Sequence, residues 1–260
     1  MTDAPDATCI WLYAVTRDPP DDEVRGVAGE PLRAIREAGL VAYAGDVPTS
    51  EFGEPAVRRN LESLDWLAGV ARAHDAVVRA AVTRGATIPV RLVTLFTDDT
   101  SVRELLRDRA SVFESALGRL DGRTEWGVKV YGAKPGQADE QAPESDETLS
   151  SPGTSYLLRR RAARTERERR VRAATEYVDR LRARLAAHSV AERLHGLGGA
   201  VAREGGGTLL LNGAYLVENK RFAEFNDAVN ADSGARDLRV QLTGPWPPYS
   251  FAYVPGLSDV

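Results

Sequence analysis

Three histidines, one cysteine and several paired carboxylates are the residues of this chain whose types could do chemistry. His74 sits beside Asp75 on a stretch of helical periodicity, where a proton relay is one reading and a hydrogen-bonded core histidine the better one. His188 and His195 lie seven residues apart across a helix end, a poor spacing for two ligands on one helical face. Asp98 and Asp99 could ligate magnesium, but a helix begins just after them and capping explains both. Gly205, Gly206 and Gly207 could cradle an anion. The residues after them begin a strand, however, whereas a phosphate loop opens a helix, so a hairpin turn is expected. Cys9 is alone, which excludes an intramolecular disulfide and a cysteine-based zinc cluster. No phosphate loop with its lysine, nucleophile elbow or H-E-x-x-H pair occurs. The expectation is no catalytic residue, no cofactor site and no metal site.

Two other groups of residues suit binding instead. Arg159, Arg160, Arg161 and Arg164 open a run that continues through Arg167, Arg169, Arg170 and Arg172, relieved only by Glu166 and Glu168. Local Glu–Arg pairs on a solvated helix account for much of this run. An acidic protein partner is the functional alternative, since arginine is a frequent interface anchor. Near the end, residues 244–251 read GPWPPYSF. Proline fixes φ and lacks the N–H, so this segment is an ordered bend rather than a helix or interior strand. Trp246, Tyr249 and Phe251 give it a large apolar area, fit for a lid or a dock. Its position after the last strand predicts that Trp246 packs on the second domain. The candidate protein-binding residues are therefore Arg159, Arg160, Arg161, Arg164, Trp246, Tyr249 and Phe251.

The elements that must hold these residues follow from periodicity. The 260 residues, 43% hydrophobic and 28% charged with a net charge of −4, are ordinary for a globular protein and argue against nucleic-acid binding. No apolar run is long enough to span a membrane, the start is acidic rather than signal-like, and a cytoplasmic location is expected. Residues 134–153 are rich in proline, glycine, serine and acids, and read as a flexible linker. This divides the chain into an N-terminal α+β domain over 8–133 and a C-terminal α+β domain over 154–257.

In the first, strands are expected over 9–15, 40–44, 87–96 and 124–131. A short helix is expected near 31–38, a long one from Pro55 to about Val82, and another announced at residues 98–101 with Ser101 and Glu104 as a capping box. In the second, a helix over about 156–188 carries the arginines and then a 3–4 seam of Val171, Ala174, Val178, Leu181 and Leu185. A hairpin follows, with Asn219 capping a short helix and residues 238–242 as the last strand. The fold class is α+β, two domains of ferredoxin-like character, the second entered by the long helix.

Several segments together resemble the gas vesicle F/L proteins. They are residues 11–15 (WLYAV), the helix from Trp66 to His74, residues 88–96 (IPVRLVTLF), 153–161 (GTSYLLRRR), 212–217 (NGAYLV) and the GPWPPYSF ending. The chain departs from that pattern at Leu92-Val93, where the family often has Phe-Gly, and in its acidic linker. The resemblance implies a non-enzymatic accessory protein of gas vesicle assembly, located in the cytoplasm with the vesicle. Its implied partners are the major, small and hydrophobic shell protein and other accessory proteins, without nucleic acid, membrane or cofactor. A small-molecule sensor built on ferredoxin-like domains is the alternative, and it would require a pocket with convergent polar groups.

Overall fold

The computed structural model describes residues 7–20, 23–132, 152–197, 207–231 and 238–254. It is α+β, with two antiparallel sheets and their helices. The described residues of Met1–Glu125 and Pro245–Val260 form one compact unit, and those of Trp126–Gly244 form another.

The first unit is organised by β1 (Thr8–Thr16), whose apolar run is buried on both faces. That double burial is why the run does not alternate. With β2 (Arg33–Glu37), β3 (Leu40–Pro48), β4 (Ile88–Pro89) and β5 (Leu95–Phe96) it builds a sheet of order β2-β3-β1-β4, in which β5 also pairs with β1. The β1–β3 register shifts between Leu12 and Ala14, so Tyr13 sits at a bulge. The hydroxyl of Tyr13 donates to the Glu30 carboxylate at 2.5 Å and accepts the Val27 N–H at 2.8 Å, tying the loop before β2 to the sheet. Burial, then the bond to Glu30, pushes that phenol far above its usual range.

Three helices follow β3: α1 (Thr49–Phe52), α2 (Glu54–Asn60) and α3 (Leu64–Arg84). The single helix expected from Pro55 onward is thus two, because Ser63 restarts it as an N-cap that accepts the Trp66 N–H. The α3 stripe of Val70, His74, Val77, Val78 and Ala81 faces the core. His74 is 2% exposed and bridges two elements. The Trp11 indole N–H donates to its Nδ1 at 3.0 Å, and its Nε2 lies 3.0 Å from the Val90 carbonyl oxygen. An indole can only donate and a carbonyl can only accept, so the ring is neutral with its proton on Nε2. Burial lowers its pKa, against smaller opposing effects of the Val90 carbonyl and Asp75.

Three further expectations fail in this unit. Residues 33–37 form a strand rather than part of a helix, pairing with β3 through a turn in which Ala38 and Gly39 both have positive φ. The strand expected over 87–96 is broken into β4 and β5. Val93 takes φ +64°, and the Thr94 hydroxyl closes a turn onto the Arg91 carbonyl at 2.9 Å. α4 (Asp99–Asp108) and α5 (Ala110–Leu120) complete the unit. Asp98, not Ser101, caps α4: its carboxylate accepts the Ser101 N–H at 2.9 Å.

The second unit is built from β6 (Arg123–Gly132) after Glu125, α6 (Pro152–Ala187), β7 (Ala191–Leu194), β8 (Leu209–Glu218), α7 (Phe222–Asn230) and β9 (Leu238–Trp246) up to Gly244. They run β-α-β-β-α-β in a sheet of order β7-β8-β6-β9. In each sheet, then, the first strand lies between the third and the fourth. Val128, Val130, Tyr177, Leu181, Leu185, Leu211, Tyr215, Val217, Phe225 and Val229 form the core of the second unit.

β6 was expected in the N-terminal half, but its Val128 and Val130 face this second core, so strand pairing divides the chain earlier than composition does. β7 was not anticipated at all. Asn219 opens a 3-10 turn, Asn219–Arg221, and α7 has no side-chain cap. The expected linker lies mostly, and the Gly205-Gly206 turn of the expected hairpin wholly, outside the described residues.

Two measurements follow from this frame. A β-branched residue at positive φ is strained by about 1–3 kcal/mol, which glycine relieves while giving up the partly buried side chain. Val93→Gly is therefore expected to leave the thermal midpoint unchanged or raise it, whereas Val15→Gly, within the buried strand, lowers it by several degrees. A large drop for Val93→Gly would contradict the assigned turn.

His74 supplies a pH dependence of definite sign. Its folded pKa is lowered, so the unfolded chain binds its proton first. Stability is complete above about pH 6.5 and falls as pH drops toward the folded pKa, by at most about 1.4 kcal/mol per pH unit. Urea unfolding between pH 7.5 and 5.5 should show a shallower slope for His74→Gln than for the wild type. Equal slopes would remove the neutral-histidine assignment.

Candidate interaction surfaces

Residues 245–254 belong to the first unit and form a strap along it. Gly244 takes φ +129°. The Tyr249 N–H then donates to the Pro247 carbonyl and the Phe251 N–H to the Pro248 carbonyl, at 2.8 and 3.0 Å. The prolines stiffen these tight turns by fixing φ. Pro247, Pro248, Ala252 and Val254 are buried, which fastens the strap from below.

A polar anchor joins them. Glu125, only 7% exposed, accepts both the N–H and the hydroxyl of Ser250, at 2.8 and 2.7 Å. A buried carboxylate with two donors is a charge-assisted site, and removing it would strand both donors. At the other end the Arg79 guanidinium stands 5.1 Å over the Trp246 ring while pairing with Asp75 at 2.5 Å. Trp246 therefore meets α3 of the first unit, which corrects the expectation that it packs on the second domain.

Fastened in this way, the strap presents aromatics outward. Trp246 is 42% exposed, Tyr249 41% and Tyr253 53%, with Phe251 partly buried between them. The Tyr249 phenol is pushed above its usual range by partial burial and by Asp75, with Arg79 acting the other way. Its hydroxyl is accordingly neutral at physiological pH. The result is a preorganised, mostly apolar patch with an ion pair at its edge. That suits recognition of an apolar surface rather than bond chemistry.

The arginines lie on α6 of the second unit. The C-terminal half of the helix is anchored by Tyr177, Leu181 and Leu185 in the core. Every side chain from residue 158 to 173 is exposed, including Arg159, Arg160, Arg161 and Arg164. Arg164 pairs with Glu168 at 2.9 Å and Arg170 with Glu166 at 3.1 Å, both at i,i+4 spacing. The Glu168 carboxylate raises the Arg164 pKa further. These pairs stiffen the helix surface but are solvated and screened by salt.

The residues weighed for catalysis do not come together. His74 has both ring nitrogens engaged in the core. His188 lies against Glu224 and Arg221, and His195 is exposed. Asp98 caps α4, and Asp99 pairs with Arg33 and Arg103. Among the described residues, no group of three or more His, Cys, Asp or Glu side chains is placed to hold a metal ion. Gly205 and Gly206 lie outside the described residues. A shallow depression beside the β2–β3 turn is lined by Arg17, Arg36 and Glu37, but Arg17 is engaged by Glu114 and Glu37 by Arg107.

Sequence reasoning missed Glu125, Ser250, Arg79 and Tyr253. The only signal for Glu125 is an acid at an inward position of a strand, which gives no hint of its partner 125 residues away.

Comparison with known proteins places this arrangement. A family model described as "Gas vesicle synthesis protein GvpL/GvpF" matches residues 9–253. Gas vesicle protein L of Streptomyces sp. (strain CB03234) is 44% identical over 248 residues, covering 93% of this chain and 92% of that protein. Gas vesicle protein F of the same strain is 29% identical over 257 residues, covering 93% and 98%. The crystal structure of gas vesicle protein GvpF from Microcystis aeruginosa superposes with a TM-score of 0.65 at 16% identity, over 95% of this chain and 99% of that one. That from Anabaena sp. PCC7120 gives 0.63 at 17%, over 95% and 97%.

Proposed function

This chain belongs to the gas vesicle synthesis protein GvpL/GvpF family, and on that footing we propose that it is a non-enzymatic assembly factor for gas vesicles. The family is one of gas vesicle proteins, not a known family of enzymes. In this reading the chain binds the small hydrophobic shell protein and other accessory proteins in the cytoplasm, during nucleation or subunit delivery.

The observation that carries the reading is the strap. Half-exposed Trp246, Tyr249 and Tyr253 are fixed in place by Glu125, Arg79 and buried prolines, so little conformational freedom is lost when an apolar surface docks. A shell subunit with a large apolar face would aggregate before assembly unless such a partner covered it. Trp246, Tyr249 and Phe251 form this contact, and Arg159, Arg160, Arg161 and Arg164 serve a second, charged one.

The higher identity to a gas vesicle protein L than to the F protein of the same organism, 44% against 29%, supports an L-type role. The shared strand order of the two sheets supports ferredoxin-like character for both units, with the first helix of the first unit replaced by a loop. The long helix α6 enters the second unit's fold after β6.

Co-purification with the shell protein tests the reading. Wild-type protein should retain it, and a Trp246→Ala, Tyr249→Ala double variant should lose most of it while keeping its thermal midpoint within a few degrees. Cells carrying the variant should float poorly. Equal retention by both proteins would remove the strap from the interface, and no retention by either would remove direct shell binding.

A further inference from the structure

The exposed stretch of α6 is organised beyond its charge. In the C-terminal half of the helix, Ala174, Val178, Leu181 and Leu185 follow alternating steps of four and three, and Leu181 and Leu185 are fully buried. The same alternation continues toward the N-terminus without a break through Val171, Arg167, Arg164 and Arg160. Two heptad positions are thus occupied throughout, one by residues 160, 167, 174 and 181, the other by 164, 171, 178 and 185. The seam is core where the sheet covers it and arginine where, among the described residues, its side chains are exposed. Neither Glu166 nor Glu168 falls on it.

An unsupported helical stretch is marginal in water, and one that is polar all round needs a partner or many side-chain pairs to persist. Residues 158–173 span about 24 Å at 1.5 Å per residue. They hold eight arginines against two glutamates, a net charge of +6 that leaves −10 on the rest of the chain.

We propose that this stretch of α6 is one half of a two-helix seam, completed by a helix of another protein that carries glutamates or aspartates at heptad spacing. Charge complementarity selects that occupant: Arg160, Arg164 and Arg167 sit one turn apart on one face, where an acidic helix can meet them in fork geometry. Val171, 61% exposed, supplies the apolar step between the arginines and the buried part of the seam. An anionic membrane fits less well, because the stretch has no apolar face to insert. A nucleic acid fits less well too, since no aromatic side chain interleaves the arginines and the remaining chain is acidic.

The proposal rests on the reading of the chain as a binding protein, but not on the identity of the shell partner. The probe is a synthetic helical peptide of about three heptads with glutamate at both seam positions, against a scrambled peptide of equal composition. Fluorescence anisotropy on the full chain at ~0.1 M salt should give at least about tenfold tighter binding of the ordered peptide. The triple variant Arg160→Glu, Arg164→Glu, Arg167→Glu should lose it and bind a peptide with lysine at the seam instead. The triple change to glutamine, a good helix former, should lose the glutamate peptide without gaining the lysine one, with unchanged helical circular dichroism.

Equal binding of the scrambled peptide, preference for duplex DNA or for phosphatidylserine vesicles, or no binding of any probe would overturn the proposal. Peptide pairing without shell co-purification would leave the seam standing and remove shell binding. Shell co-purification without peptide pairing would do the reverse.

Discussion

Trp11, His74 and Val90 form the join on which the first unit depends. β1 supplies the indole, α3 the imidazole and the turn after β4 the carbonyl, so one neutral side chain fixes a strand, a helix and a connection at once. Both partners are 3.0 Å away, and neither can exchange donor for acceptor. The ring therefore has a single protonation state that satisfies all three groups, and a buried polar group left unmatched costs about 1–3 kcal/mol. The rest of the unit is arranged around that fixed point. Phe52 stands edge-on to Trp11, Tyr13 lies tilted against His74, and the bulge at Tyr13 reaches the loop held by Glu30. The titratable residue with the most suggestive sequence context is thus structural.

With His74 engaged in this way, the residues proposed to meet partners lie on the surface. α3 links the two roles: its inward stripe carries His74, and its outward stripe carries Asp75 and Arg79, which meet the strap. A helix held rigidly by the core gives the strap a fixed base, and Glu125 gives it a second. The second unit uses the same logic differently. One half of α6 is held by Tyr177, Leu181 and Leu185, and the other half is exposed and basic.

The sequence was legible where a pattern repeats locally. The buried run of β1, the apolar stripe of α3, the β6 strand and the long α6 with its 3–4 seam are all read from spacing. It was misleading where one residue overrides the pattern. Val93 at positive φ splits a strand that composition makes continuous, Ser63 splits a helix, and Ala38-Gly39 turns a helical-looking segment into a hairpin. It was silent where contacts join distant parts of the chain. Nothing local to Glu125 announces Ser250, and nothing local to Trp246 announces Arg79. The GPWPPYSF segment could be read as ordered and aromatic, but the unit it would cover could not.

We propose that partners meet this protein at the strap and the exposed α6 rather than at a pocket or a catalytic centre. The most direct measurement is site-specific photo-crosslinking in vesicle-forming cells, with a photoreactive phenylalanine analogue placed in turn at Tyr249, Arg164 and Arg36. Crosslinks to the shell protein are expected from position 249, crosslinks to a different, acidic protein from position 164, and none from position 36 beside the shallow depression. Crosslinks from position 36 alone would contradict it.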